Sequence, residues 1–431
     1  MASAHGRDGL RGVVLVYVAA IAAVTWLWFR VHWAMGGNFL LACAMAAPML
    51  STANMHWLAR PHVFSWLCLL ALVWYAERDP DPLRPRHAVA VFLGSALWAN
   101  LHASFFLAPL ILTIYALAGI AGPWIWSLDA ARERGRARRL LAAALCAAAG
   151  SLVNPYGWNL HLHVARYLAD DELLARVGEF QSFNFHAEGA GQILLAVGLV
   201  GLGAVSSLGR RNLARFLIAA GLLAMALRSA RALPLMALVG LPVANAAITA
   251  ACRQARNLHP TLTRWLTAVL DYSANLRAHD SRFHGLAWVP VLVLATLLAL
   301  RTPALSSRAG FPPDQFPVAA AQALDRLPAD IRLLAPDKFG GYLIYRFGGR
   351  RKVFFDGRSD FYGSAFMKDY IRLVQVRPGW QKVLASFGFT HALLPNDYSL
   401  VAALEAAGWR RLYRDDVATL LNAPSGPRVI Q

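Results

Sequence analysis

Long apolar runs separated by short polar links fill the first 301 residues. A membrane-crossing helix needs about 20 apolar residues. The runs predict crossings near 12–29, 38–56, 62–76, 88–101, 103–121, 139–153, 191–207, 213–228, 231–251 and 287–301. The 88–121 stretch reads as two spans joined tightly at Asn100-Leu101-His102, or as one tilted span with a re-entrant piece. The 12–29 and 38–56 pair leaves room for one poorly inserted segment, so the total is nine or ten. Val13–Phe29 is long enough to span and lacks a small-residue cleavage site, so it reads as a span and not as a cleaved signal peptide. Within 252–286, Leu262, Trp265, Leu266, Val269 and Leu270 recur at helical spacing among arginines, which suits an amphipathic helix lying on a membrane surface.

Beyond residue 301 the pattern changes to alternating strand and helix signals. Strands are predicted at 331–335, 352–355 and 391–394, helical stretches at 341–347, 366–376, 380–387 and 400–407, and a terminal hairpin over 409–413 and 417–421. The fold class is therefore an α-helical polytopic membrane domain, residues 1–301, followed by a small C-terminal α/β domain, residues 302–431. Ligands of open α/β sheets sit beyond the carboxyl ends of strands. Asp356, Arg358 and Asp360 occupy that position after the predicted 352–355 strand.

Composition agrees with the pattern. Hydrophobic residues make up 57% of the chain and charged residues only 15%, against about 25% charged in ordinary soluble domains. The formal net charge of +18 rests mostly on arginine. A nucleic-acid surface is one reading; the other is loop charge that orients the spans, and the clustering of arginines in short links favours it, so no nucleic-acid partner is expected. The four cysteines lie in or beside apolar runs and form no CxxC motif.

Loop charge also sets orientation. Arg132, Arg134, Arg136, Arg138 and Arg139, then Arg210, Arg211 and Arg215, then Arg253, Arg256, Arg264, Arg277 and Arg282 mark cytoplasmic links. The 154–190 link is acidic, with Asp170, Asp171, Glu172, Glu179 and Glu188. The alternation puts residues 302–431 outside the cytoplasm, with the spans expected in the inner (plasma) membrane of a bacterium. Carried backward with 88–121 as two spans, it puts the N-terminus outside as well, which points to a span upstream of the given sequence.

With that topology, Arg60, His62, His102, Arg228 and Arg231 map to the outer ends of spans. Arginine forks match phosphate oxygens, so a phosphate or pyrophosphate site is one reading; snorkelling to lipid headgroups is the other. Glu179 reads either as a general base for an acceptor hydroxyl or as a solvated loop carboxylate. Asp356, Arg358 and Asp360 read either as ligand-binding residues or as an internal turn network. His161 and His163, near Asp170 and Asp171, have the wrong spacing to share a helical face, so no metal site is assigned; a divalent ion held by scattered carboxylates would leave no spacing signature.

Arg60-Pro61-His62-Val63-Phe64, Trp98-Ala99-Asn100-Leu101-His102, Asn154-Pro155-Tyr156-Gly157-Trp158, Glu179-Phe180-Gln181-Ser182, Gly340-Gly341-Tyr342-Leu343 and the run from Val353 to Gly363 resemble a group of bacterial multispan membrane proteins similar in plan to GT-C glycosyltransferases. The resemblance covers most of residues 38–422. It implies an outward-facing site, a polyprenyl-phosphate sugar donor and an inverting transfer assisted by a carboxylate. The chain departs from the GT-C plan by lacking a large acidic loop after its first span, so no catalytic Asp is carried over. The leading expectation is thus a GT-C-like transferase acting on an acceptor outside the cytoplasm. The alternative is a non-catalytic membrane scaffold or lipid- or glycan-binding protein. A transporter is less supported, because the spans hold few carboxylates and no obvious internal repeat.

Overall fold

The computed structural model describes residues 2–78, 83–255, 259–284, 286, 289–302 and 310–424. The chain divides into two compact units, Met1–Arg166 with Gly178–Ala295, and Tyr167–Val177 with Thr296–Gln431.

The first unit is helical. Its helices are α1 (Ala2–Ala34), α2 (Phe39–Asn54), α3 (His62–Glu77), α4 (Pro85–Leu101), α5 (Leu107–Trp126), α6 (Ala130–Ser151) and most of α7 (Trp158–Ala169). After the short α8 (Asp171–Leu174), which belongs to the other unit, come α9 (Ala190–Gly209), α10 (Leu213–Arg228), α11 (Leu233–Gln254), α12 (Pro260–Arg282) and the first part of α13 (Val289–Arg301). Among the described residues, four helical segments are long and apolar enough to cross a membrane: Ala2–Ala34, Ala103–Trp126, Ala190–Gly209 and Ala230–Gln254. Phe39–Asn54, His62–Glu77 and Val289–Ala299 are apolar but shorter.

The 88–121 stretch forms two helices. The break falls at His102, whose extended backbone (φ −159°, ψ 144°) ends α4 before the 3₁₀ turn Ala103–Phe106. The arginine-rich link before 139 differs from the expected loop: it is the first part of α6, capped by the Asp129 carboxylate accepting from the Ala131 and Arg132 N–H groups. Arg and Ala are both strong helix formers, so charge there does not mean irregular backbone. Residues 252–286 contain α12, as the amphipathic spacing suggested.

Small residues let these helices approach closely. A Cβ on Gly203 of α9 would lie 2.6 Å from the Ala244 Cα of α11, and one on Gly240 would lie 2.6 Å from Val200. Buried polar clusters fix the links. Asn245 of α11 accepts from the Asn38 N–H (2.9 Å) and donates to the Asn38 carbonyl (2.9 Å), which holds the α1–α2 turn. At the far end of α3, Glu77 takes hydrogen bonds from Arg215 at 2.7–3.3 Å and from the Tyr115 hydroxyl at 2.7 Å.

The second unit is α/β. It contains α8, α14 (Val318–Asp325), β1 (Leu333–Leu334), α15 (Asp337–Phe347), α16 (Ser359–Val374), α17 (Trp380–Phe387), β2 (His391–Pro395), α18 (Ser399–Ala406), β3 (Arg410–Arg414) and β4 (Ala418–Asn422). The sheet order is β1-β2-β4-β3, with β1 and β2 parallel and the other pairs antiparallel. Alternate residues feed different cores: Leu333, Leu393 and Leu420 join one cluster, while Leu334, Ala392, Leu394 and Leu421 join another. Helices on both faces explain why the central strands read as nearly continuous apolar runs.

One expected strand does not form. Residues 352–355 pair with no neighbour in the sheet. Instead the chain crosses against α15, and the Phe355 carbonyl lies where a Cβ on Gly340 would come within 2.0 Å. Phe354 and Phe355 pack into an aromatic cluster with Tyr362, Phe366 and Tyr370. Asp356 therefore does not sit at the carboxyl end of a sheet strand.

Candidate functional site

The first unit gathers five of the sequence-selected residues at one set of helix ends. Arg60 lies just before α3, His62 opens it, His102 breaks α4 from α5, Arg231 lies between α10 and α11, and Glu179 lies in the 3₁₀ turn Gly178–Phe180. The Glu179 carboxylate accepts from Arg60 at 2.8 Å and pairs with Arg231 at 3.7 Å. These side chains remain 36–57% exposed, so the pairs are open to solvent and to competing anions.

Main-chain bonds hold this arrangement. The Ala230 N–H donates to the Gln181 carbonyl at 2.9 Å, and the Ser229 hydroxyl donates to the Glu179 carbonyl at 3.1 Å. The Ser182 hydroxyl donates to the Leu227 carbonyl at 2.9 Å. The turn carrying Glu179 is thus stitched to the α10–α11 link that carries Arg231. The Arg231 guanidinium also lies 5.1 Å from the Phe180 ring centroid, within cation–π range.

Burial pushes the Glu179 carboxyl up, but Arg231, Arg60 and His56 together outweigh it, and its pKa falls below the usual carboxylate value. Two guanidiniums against one carboxylate leave the cluster net positive.

Three histidines complete it. The His62 and His102 ring centroids are 6.5 Å apart, and those of His56 and His62 are 5.9 Å apart. His62 Nε2 is bonded to the His56 carbonyl, so it carries the proton and leaves Nδ1 as an acceptor. His102 Nδ1 accepts from the Ser104 N–H at 3.2 Å, so its Nε2 is the donor. His56 was not selected from sequence; at the end of an apolar run it carried no signal, and only the fold brings it beside Glu179.

The other selected residues lie elsewhere. Arg228 ends α10, is exposed, and makes no ion pair with another described residue. Asp356, Arg358 and Asp360 belong to the second unit. There Arg358 grips Asp356 through Nε at 2.9 Å and a terminal nitrogen at 2.7 Å, and Asp360 is exposed. Asp356 and Arg358 thus form an ion pair within one turn. Nearby, the Tyr370 hydroxyl donates to Asp337 Oδ1 at 2.8 Å and accepts from the Asp337 N–H at 3.1 Å. Among the described residues, no group of three His, Cys, Asp or Glu side chains gathers to hold a metal. His161 bonds the Ser151 hydroxyl instead, at 2.9 Å, and stacks on Trp158.

Chemically, the cluster offers two cationic donors (Arg60 and Arg231), a neutral donor (His102 Nε2–H) and two acceptors (Glu179 and His62 Nδ1). Such a set suits an anion bearing a neighbouring hydroxyl. Compared with known proteins, the chain matches no family model and no curated sequence.

Proposed function

We propose that the chain is an inner-membrane GT-C-like glycosyltransferase that binds a polyprenyl-phosphate sugar at the Arg60–Glu179–Arg231 cluster and passes the sugar to an acceptor on the outer side. The observation that carries this reading is the convergence of two arginines, a carboxylate and three histidines from four separate segments onto one set of helix ends. The long apolar helices and the arginine-rich links at the other helix ends support membrane insertion with this cluster outside.

In this reading, Arg60 and Arg231 hold the donor phosphate. The acceptor oxygen attacks the anomeric carbon, and the bond from that carbon to the phosphate oxygen breaks. The polyprenyl phosphate leaves with the electron pair, stabilised by the guanidiniums. The acceptor proton goes to His62 Nδ1 or to Glu179. Ion pairing depresses the pKa of Glu179 and weakens it as a base.

That same ion-paired Glu179 favours a second reading, a non-catalytic binder of lipid-linked or envelope glycans. Binding of a radiolabelled polyprenyl-phosphate sugar to the purified protein tests both. Arg60→Ala and Arg231→Ala should each weaken binding tenfold or more, since a charge-assisted hydrogen bond contributes about 1.5–3 kcal/mol. Arg228→Ala, outside the cluster, should bind as the parent does. Unchanged binding in the Arg60/Arg231 double variant would remove the site. Binding without release of polyprenyl phosphate in the presence of envelope acceptors would favour the second reading. A reporter fused after Leu421 that is active only in the cytosol would overturn the orientation.

A further inference from the structure

Beside α1, within the first unit, lies a cavity of about 550 Å³. Small-molecule sites span about 300–1,000 Å³. Its wall is almost wholly apolar, with Trp26, Phe29, Trp33, Phe39 and Leu292 prominent. Arg30 and Asp280 also line it. The Arg30 Nε and the Asp280 Oδ2 are shielded from solvent, and neither has a hydrogen-bond partner among the described residues. The Arg30 charge acts on Asp280, yet no ion pair joins the two.

Shielded charged atoms without partners are costly, and a polar ligand removes that cost. Here the unmet groups are one guanidinium donor and one carboxylate acceptor, both lining the same apolar space. More positive charge surrounds them. Arg277 lies 5.7 Å from the Trp33 ring, Arg30 lies 5.2 Å from it, and Arg277 stands in the field of both Arg253 and Arg30.

We propose that this cavity is a lipid site for a phospholipid with a primary-amine headgroup. An acyl chain fills the aromatic-lined space, the phosphodiester meets Arg30 with Arg277 beside it, and the ammonium meets Asp280. The matched pair of unmet groups selects the headgroup. An anionic lipid without an amine offers the Asp280 oxygen at most a neutral hydroxyl and no countercharge. A quaternary ammonium has no N–H to give it. A primary ammonium has three. This site is distinct from the Glu179 cluster and does not rest on the transferase reading.

The test uses the full-length protein, stripped of lipid in detergent and offered equal amounts of phosphatidylethanolamine, phosphatidylglycerol and phosphatidylcholine with identical chains. Native mass spectrometry reads what is retained. Phosphatidylethanolamine should be retained at least fivefold over the other two. Asp280→Asn should erase that preference while total phospholipid retention persists. Ala22→Phe, which fills the cavity without touching either charge, should lower retention of all three, as should Arg30→Gln. Thermal unfolding midpoints identify any variant that fails to fold, and Asp280→Asn and Ala22→Phe keep the test alive if Arg30→Gln does. Equal retention of the three lipids by the parent protein overturns the proposal. So does a preference that survives Asp280→Asn, or parental retention in Ala22→Phe.

Discussion

Replacing Glu77 by leucine should destabilise the helical unit more than any other single carboxylate change in it. Glu77 is 3% exposed and Arg215, its partner from α10, is 18% exposed. Three contacts at 2.7–3.3 Å join them, and the Tyr115 hydroxyl donates a fourth hydrogen bond to the same carboxylate. Arg136 reaches the Ala76 carbonyl close by, at 3.1 Å. Leucine removes the anion and leaves a shielded guanidinium beside a second one, with a phenol that has lost its acceptor. Breaking one side of a buried pair costs about 3–5 kcal/mol, and the unmet phenol favours the upper half of that range. The double variant Glu77→Leu/Arg215→Met removes both charges and should recover most of the loss, because an apolar pair of similar volume often matches a buried ion pair. Reversible unfolding in mixed micelles, followed by the fluorescence of the 14 tryptophans, gives both free energies. A single-variant loss under about 1 kcal/mol would refute the argument. So would a double variant no more stable than the single one, because removing the stranded guanidinium would then recover nothing.

Asn245→Leu should cost about 2 kcal/mol or more in the same assay, since the Asn38 carbonyl and the His32 ring both lose a buried donor; a loss near zero would mean that Thr249 alone holds the turn. Gly340→Ala should destabilise the C-terminal unit by about 3 kcal/mol, because the new methyl meets a backbone carbonyl that cannot rotate away; limited proteolysis between residues 316 and 422 reads the effect, and parental resistance would refute it. The Glu179 ion pairs should add stability that is complete above the ordinary carboxylate pKa of 4.5 and fades as pH falls through the lower folded-state value. The gain should stay below about 1 kcal/mol because the partners are partly exposed, and Glu179→Gln should flatten that low-pH slope; an identical slope in the variant would exclude Glu179 as its source. Glu179→Gln should also tighten binding of inorganic pyrophosphate at neutral pH, since it frees both guanidiniums; weaker binding would show that the carboxylate positions them.

Much of the helical unit was legible because run length is a strong signal. The apolar stretches at 38–56, 62–76, 213–228 and 231–251 each became a helix with ends close to those read from the sequence. The grouping of these polar helix ends was legible too, since counting crossings puts Arg60, His102, Glu179 and Arg231 on one side. Their pairing was not: Arg60 and Glu179 are 119 residues apart, and nothing local in either sequence names the other. Glu77 was missed for a related reason. A lone carboxylate followed by Arg78 at the end of an apolar run reads as loop charge, and only the approach of Arg215 from α10 makes it a buried centre. The 352–355 strand failed because Val353, Phe354 and Phe355 have strand propensity that tertiary packing overrode. Gly340 lets that segment lie flat against α15, and the aromatic cluster then uses the side chains that a sheet would have used.

The two ends of α3 differ in a way that separates structure from function. At Glu77 one carboxylate meets one guanidinium and one phenol, the contacts are short, and little surface is exposed. The pair is short and shielded from solvent, so the centre suits holding the fold. At the Arg60 end two guanidiniums share one carboxylate, the second at a longer 3.7 Å, and all three side chains keep more than a third of their surface in the open. A cluster built only for stability gains little from such exposed pairs. Yet bonds from the Ser182 and Ser229 hydroxyls and the Ala230 N–H to main-chain carbonyls keep it in place. Excess cationic donors on a pinned frame suit an anion that arrives and leaves, which is why the phosphate site is placed at this end of the helix and not at the other.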